Sequence, residues 1–247
     1  YTLTEFQSRA TQDIDFLMRQ LSNDIGKVKG IMEEISLVPT ANDYITIEVL
    51  NAETITPDKE YQGVSVKFIG RIKQVKIPFS IDIGMDDIIV PKAVKRMIKT
   101  RLSDFEAPEL YTYSLESTIA EKFDAILKRM EATSRMKDFF DIYYLSSMFD
   151  FEGRKLQEAI WQTIQHRGTP YEANSFDRIA AFGANIYLSA QWTRFQPSIR
   201  VQLPEFEVII KRIKEFLEPV LEASLHEKEF FCEWYAEEKK WKEQSLK

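Results

Sequence analysis

The spacing of hydrophobic residues changes at Tyr113, and that change constrains the fold more than any other feature of the chain. Before it, segments 45–50, 64–71 and 75–83 are rich in Val, Ile and Phe and read as strands. A short apolar/acidic alternation, Asp13-Ile14-Asp15-Phe16-Leu17, precedes them. One helix is predicted in this half, over 22–36. Ile25, Val28, Ile31, Met32 and Ile35 recur along one of its faces, with Ser22 or Asn23 as the expected cap. After Tyr113 the spacing is helical throughout and predicts helices over 115–131, 135–149, 153–166, 175–189, 205–222 and 226–243. Ser114 is placed to cap the first of these. The chain is therefore expected to be α+β. A mixed-sheet core over 1–112 would be followed by an α-helical bundle over 113–247, with the seam near 103–114.

Composition narrows the chemistry. The single cysteine, Cys232, cannot form an internal disulfide, which points to a reducing, cytoplasmic setting. Two separated histidines, His166 and His226, argue against a His-rich metal site or a Ser-His-Asp hydrolase. No apolar run is long enough for a membrane span, and no signal-like segment leads the chain. Any metal here is expected to be held by carboxylates.

Asp13 and Asp15 lie two apart, so on a strand they share a face while Ile14 and Phe16 turn to the core. Two carboxylates that close repel unless a cation sits with them, and oxygen donors suit Mg²⁺ or Mn²⁺. In Phe79-Ser80-Ile81-Asp82-Ile83-Gly84 the apolar residues take one face, and Ser80, Asp82 and Gly84 take the other. An Asp inside an Ile-rich strand runs against β-propensity. If the two strands are neighbours, Asp13, Asp15 and Asp82 converge as metal ligands, the arrangement used for in-line nucleotidyl transfer. Each motif alone is commonly a strand end or a solvated edge.

In helix 115–131 the apolar stripe runs through Leu115, Ile119, Phe123, Ile126, Leu127 and Met130, and Lys122 sits on its flank. In helix 135–149 the stripe of Ile142, Leu145 and Phe149, traced back, meets Asp138 and Asp141. A carboxylate on a core-facing stripe is costly unless paired. Arg135 at i−3 from Asp138 and Lys137 at i−4 from Asp141 could pair locally. The alternatives are a structural ion-pair cluster and a cleft orienting Lys122 or a substrate.

Four ordered motifs over residues 9–145 carry a family resemblance. Residues 9–17, RATQDIDFL, resemble the R-x-T-x-D-I-D signature of the AbiEii/AbiGii nucleotidyltransferase toxins. Residues 81–87, IDIGMDD, are similar to that family's IDIGxGD strand, with Asp86 where Gly is usual. Residues 113–125 resemble its YxxExxxAEKxxA helix, and 135–141 its RxKDxxD helix. The resemblance implies a DNA polymerase β-like nucleotidyltransferase fold, with the helical domain contributing to the active-site cleft. It implies metal binding by Asp13, Asp15 and Asp82, and contact of Lys122 with nucleotide phosphate. Asp138 or Asp141 would complete the site, with Arg135 and Lys137 as substrate-binding neighbours. It further implies an NTP substrate, an RNA acceptor such as a tRNA 3′ end, and a cognate antitoxin. No Gly-Ser phosphate-binding turn precedes Asp13, and because the chain begins at Tyr1 that turn is expected further upstream. A chain lacking it would be a degenerate binding protein on the same fold; a nuclease using the same carboxylates is the third reading.

Net charge is −6, which by itself argues weakly against a nucleic-acid partner. Residues 59–101, however, carry ten Lys and Arg against four Asp and Glu. A basic segment around Asp82 suits a polyphosphate or an RNA backbone, with 92–101 a candidate RNA-docking helix; solvated strand faces are the ordinary reading of Lys67, Arg71, Lys73 and Lys76. The aromatic tail (Phe230, Phe231, Trp234, Tyr235, Trp241) reads as a stripe packed on the bundle, and Trp161, Trp192 and Phe195 as core residues.

Overall fold

The computed structural model describes residues 13–19, 24–39, 44–55, 63–85, 89–98, 100, 105–199 and 201–243. The chain divides into two compact units, one within 10–87 and one over 88–247. Residues 88–112 thus group with the helices.

The first unit is one four-stranded mixed sheet with one helix. Its elements are β1 (Asp13–Met18), α1 (Ile25–Ser36), β2 (Ile45–Ile55), β3 (Gly63–Ile72) and β4 (Val75–Met85), and the sheet order is β1-β4-β3-β2. β1 runs parallel to β4, while β2, β3 and β4 are antiparallel neighbours. Val64, Val66, Phe68, Ile83 and Met85 project from one face onto Val28 and Met32 of α1. These residues form the unit's core because strand side chains alternate while the helix returns every three to four positions. Asp24 caps α1 through a 2.8 Å bond from Lys27 N–H, not Ser22 or Asn23, which lie outside the described residues. Ile14 and Phe16 share a face with Ile81 and Ile83 but stay 47% and 45% exposed. β1 is an edge strand, and α1 lies over β2 and β3, so this pair is not the buried pair the alternation suggests.

The second unit holds β5 (Val94–Met97), β6 (Glu109–Thr112), α2 (Leu115–Arg129), α3 (Met136–Met148), β7 (Phe151–Glu152), α4 (Gly153–His166), α5 (Ser175–Ala180), α6 (Ile186–Phe195), α7 (Phe206–Leu225), β8 (Cys232–Tyr235) and β9 (Lys240–Glu243). The expected α2 stripe is buried at Ile119, Phe123, Ile126 and Leu127, and Ser114 accepts from Ser117 N–H as its cap. Phe139, Phe206, Phe216 and Trp192 join the same core from α3, α7 and α6. Burying each such side chain stabilises the fold by about 1.5–3 kcal/mol.

Four expectations need correction. Segment 92–101 is not a helix: Val94–Met97 pairs with Glu109–Thr112 as a ribbon. The predicted 175–189 helix breaks at 181–184, because Asn185 starts α6 by accepting from Tyr187 and Leu188 N–H. The predicted 226–243 helix is a hairpin, so the bundle carries a small sheet, β7-β8-β9. Trp234 faces Trp241 across it, Phe216 of α7 packs its ring against both, and Lys239 turns the chain at φ +58°. Trp161 is exposed rather than core, whereas Trp192 is fully buried.

Gly153 begins α4 under this hairpin. A Cβ there would meet a Phe230 ring carbon at 2.5 Å and the Cys232 carbonyl at 2.7 Å. Gly153→Ala is expected to lower stability by about 1–3 kcal/mol in urea denaturation. Gly30→Ala, inside α1 with open space around it, is expected to raise stability by about 0.5–1 kcal/mol.

Candidate active site

In the parallel β1–β4 ladder Asp15 lies opposite Asp82, and Asp13 opposite Ser80. Paired strand residues share a face, so the carboxylates sit together on the side away from α1. Asp15 is exposed and Asp82 half-buried. The Asp13 side chain lies outside the described residues, as do Asp86, Asp87, Lys99 and Arg101. Ser65, facing Asp82 from β3, donates its hydroxyl to Asp82 Oδ1 at 2.6 Å. That bond fixes one oxygen and the rotamer. The donor set is all oxygen and acidic, which fits a hard divalent cation. Among the described residues no group of three His, Cys, Asp or Glu side chains is placed to hold one.

The same face carries Lys67 and Arg71, but both are answered from the edge strand. Lys67 pairs with Glu53 at 2.7 Å and Arg71 with Glu48 at 2.9 Å. Lys95 on the ribbon pairs with Glu109. The positive balance of 59–101 is thus partly neutralised within each unit, by β2 in the first and by β6 in the second.

The helical cluster is tighter. Asp138 and Asp141, one turn apart on α3, are 0% and 2% exposed. Lys122 Nζ on α2 reaches Asp138 Oδ1 at 3.4 Å and Asp141 Oδ2 at 3.2 Å. Arg135, at the start of α3, binds Asp138 Oδ2 at 2.5 Å and Oδ1 at 3.4 Å. The expected Arg135–Asp138 pair is present, and Asp141 has found Lys122 on the neighbouring helix. Lys137 is half-buried beside them. Asp138 is thereby held at both oxygens, whereas burial pushes the Asp141 carboxyl up to about 8 from its ordinary 3.8.

Another buried carboxylate escaped the sequence reading. Asp124 on α2 is 1% exposed. Thr169 donates a short hydrogen bond to it, Arg167 reaches it at 3.2 Å and Lys128 at 3.3 Å. Arg167 and Thr169 follow α4, so this cluster pins α2 to the end of that helix. Its only sequence signal is an acid wedged between Phe123 and Ile126 on the buried stripe.

A raised folded pKa means that the folded state keeps its proton when the unfolded chain has lost it. The Asp141 contribution is therefore full below about pH 3.8 and is lost as pH rises through about 8. The urea midpoint is expected to fall across that window, and to fall less in Asp141→Asn. Parallel pH profiles for the two proteins would rule this out.

The family model for the Nucleotidyl transferase AbiEii toxin, of the type IV toxin–antitoxin systems, matches residues 3–219. The chain belongs to that family. No curated protein matches it. Among solved structures it is similar to JHP933 from Helicobacter pylori, at 14% identity and TM-score 0.43 over 89% of this chain and 82% of that one. It is also similar to a candidate nucleotidyltransferase from H. pylori, at 13% identity and TM-score 0.44 over 90% and 83%. The family's description implies nucleotidyl transfer and an antitoxin partner. Among the described residues no helix is long and apolar enough to cross a membrane.

Proposed function

We propose that this member of the AbiEii family transfers a nucleoside monophosphate from an NTP to an RNA 3′ hydroxyl, with tRNA the favoured acceptor. In a cytoplasmic toxin–antitoxin pair, that reaction would be the toxic one. The observation that carries the reading is the in-register placement of Asp15 and Asp82 on one face of neighbouring parallel strands. Such a pair has no structural use on a sheet face, where two like charges repel.

Asp13, Asp15 and Asp82 are the residues that would hold Mg²⁺ or Mn²⁺. A divalent cation bound there supplies neutralisation of phosphate charge and lowers the pKa of the acceptor hydroxyl. In the reaction the acceptor oxygen forms a bond to the α-phosphorus, the bond to the β-phosphate bridging oxygen breaks, and pyrophosphate leaves. Ser65 holds Asp82 in the rotamer that presents its other oxygen. Lys122 offers the phosphates a positive charge, positioned by Asp138 and Asp141. Asp138, locked by Arg135, is a positioning residue. Asp141 sets how much of the Lys122 charge is already answered before substrate arrives. Lys137, half-buried without an ion-pair partner among the described residues, is a second phosphate contact. The second reading, a degenerate protein that binds nucleotide without turnover, rests on the sequence's lack of a Gly-Ser pair before Asp13.

The test is incubation with total RNA, Mg²⁺ and each labelled NTP. Label is expected to enter RNA, to stop entering on metal chelation, and to fall at least about 100-fold in Asp15→Ala, Asp82→Ala and Lys122→Ala. Ser65→Ala is expected to weaken the response to added Mg²⁺ by about tenfold. Equal labelling by native and variant proteins would sink the assignment. Binding of NTP without labelling would favour the degenerate protein, and shortened, unlabelled RNA would favour a nuclease.

A further inference from the structure

A cavity of about 330 Å³ opens in the helical unit, lined by Ser134, Met136, Tyr187, Gln191, Arg194 and Phe195. Tyr187, Gln191, Arg194 and Phe195 fall on one side of α6, at the three-to-four spacing of a helix face. Met136, buried, forms the floor. Phe195 forms a fixed wall, held by rings from Phe140 and Trp192. Gln191 is tethered by its amide to the Thr133 carbonyl at 3.4 Å. The other polar groups are unspent. Among the described residues the Tyr187 ring and hydroxyl, the Arg194 guanidinium and the Ser134 hydroxyl have no side-chain partner. Tyr187 is 66% exposed, so its ring presents a free face.

The stretch of sequence that carries α6 is poor in acids for an acidic chain. From Arg178 to Pro204 there is no Asp or Glu, and of the three arginines there Arg178 is paired with Glu131 at 2.8 Å and Arg200 lies outside the described residues, which leaves Arg194. At the chain's average frequency about four acids would fall in that stretch. Arg194 is therefore a cation with no acid near it in sequence, unlike Lys67, Arg71 and Lys95, which are paired. An exposed aromatic face beside an unpaired guanidinium is what a base and its phosphate need.

We infer that this cavity binds one nucleotide of a single-stranded RNA, the base stacking on Tyr187 against the Phe195 wall and the adjoining phosphate on Arg194. The Gln191 amide and Ser134 hydroxyl meet the base edge or the ribose. Ser134 and Met136 flank Arg135, so the bound nucleotide lies at the start of the helix that carries Asp138 and Asp141. The inference rests on the reading of RNA as acceptor and assigns it a subsite.

The test separates binding from transfer. Fluorescence anisotropy of a labelled short oligoribonucleotide, without NTP, is measured for the native protein and for Tyr187→Ala, Tyr187→Phe and Arg194→Glu. Both side chains are exposed, so unchanged thermal melting checks the fold. Tyr187→Ala is expected to weaken binding about tenfold, and Tyr187→Phe to restore it, because stacking needs the ring and not the hydroxyl. Arg194→Glu is expected to weaken binding and to reduce the slope of log affinity against log salt by about 0.7. Unchanged oligoribonucleotide affinity in Tyr187→Ala and Arg194→Glu overturns the subsite, even if transfer to RNA is found. Loss of binding in those variants supports it, even if no NTP is incorporated, and the failure then belongs to the transfer reading. Variants that lose affinity for NTP alone but not for the oligoribonucleotide overturn it as well.

Discussion

Two carboxyl groups with almost no exposed surface, Asp138 and Asp141, set the terms on which α2 and α3 can pack. An unpaired charge in that position would cost several kcal/mol, so the helices must meet where a cation can be supplied. Lys122 supplies it from α2, and Arg135 from α3 itself. This fixes the rotation of α2 about its axis, and with it which residues form the stripe: Ile119, Phe123 and Ile126 turn inward because Lys122 is held at the flank. On the far side Asp124 repeats the device with Arg167 and Thr169. Hydrophobic residues of similar volume would stabilise such a contact at least as well. A charge cluster retained at that cost is more readily explained by a need for a positioned ammonium than by stability.

The sheet solves the opposite problem. One face is apolar and packed on α1 through its buried residues, with Ile14 and Phe16 of the edge strand left exposed; the other carries Asp15 and Asp82. Because the side-chain period is two, a register slip of one residue between β1 and β4 would bring Asp15 toward the apolar face and Phe16 toward Asp82. Burial of Ile83 beneath α1 therefore specifies the placement of Asp82 on the other face. The acidic pair is the by-product of a hydrophobic constraint, which is why its geometry does not depend on the carboxylates attracting anything.

These relations explain what could be read in advance. The strands, the α2 stripe, the Ser114 cap and the Arg135–Asp138 pair are local, written within a few residues of one another. The grouping of Asp15 with Asp82 is not local: the sequence offers it only on the condition that the two strands are neighbours, and the parallel β1–β4 pairing supplies that condition. Hidden features depended on distant partners. Arg167 is 43 residues from Asp124. Aromatics at 230, 231, 234, 235 and 241 fit a helix face as well as a hairpin, and the pairing of Trp234 with Trp241 around Phe216 decides for the hairpin. The 175–189 spacing spans α5 and α6 without interruption; the signals of the break are Gly183 and the capping Asn185, with no proline between them.

Charge shows the same limit. A count over 59–101 suggested that the cations beside Asp82 were available to phosphate. Cross-strand neighbours are not sequence neighbours, and Glu48 and Glu53 on β2 remove much of that availability. Exposed pairs of this kind hold each other by at most about 1 kcal/mol, so a polyanion can still compete for them, but it must first displace a carboxylate. Arg178 shows that a stretch without acids is not enough, since Glu131, 47 residues away, pairs with it, whereas Arg194 has no ion-pair partner among the described residues. The useful quantity for locating an anion-binding surface is therefore the density of unpaired charge, not of total charge, and by that measure the weight moves from the strands around Asp82 toward Arg194 on α6.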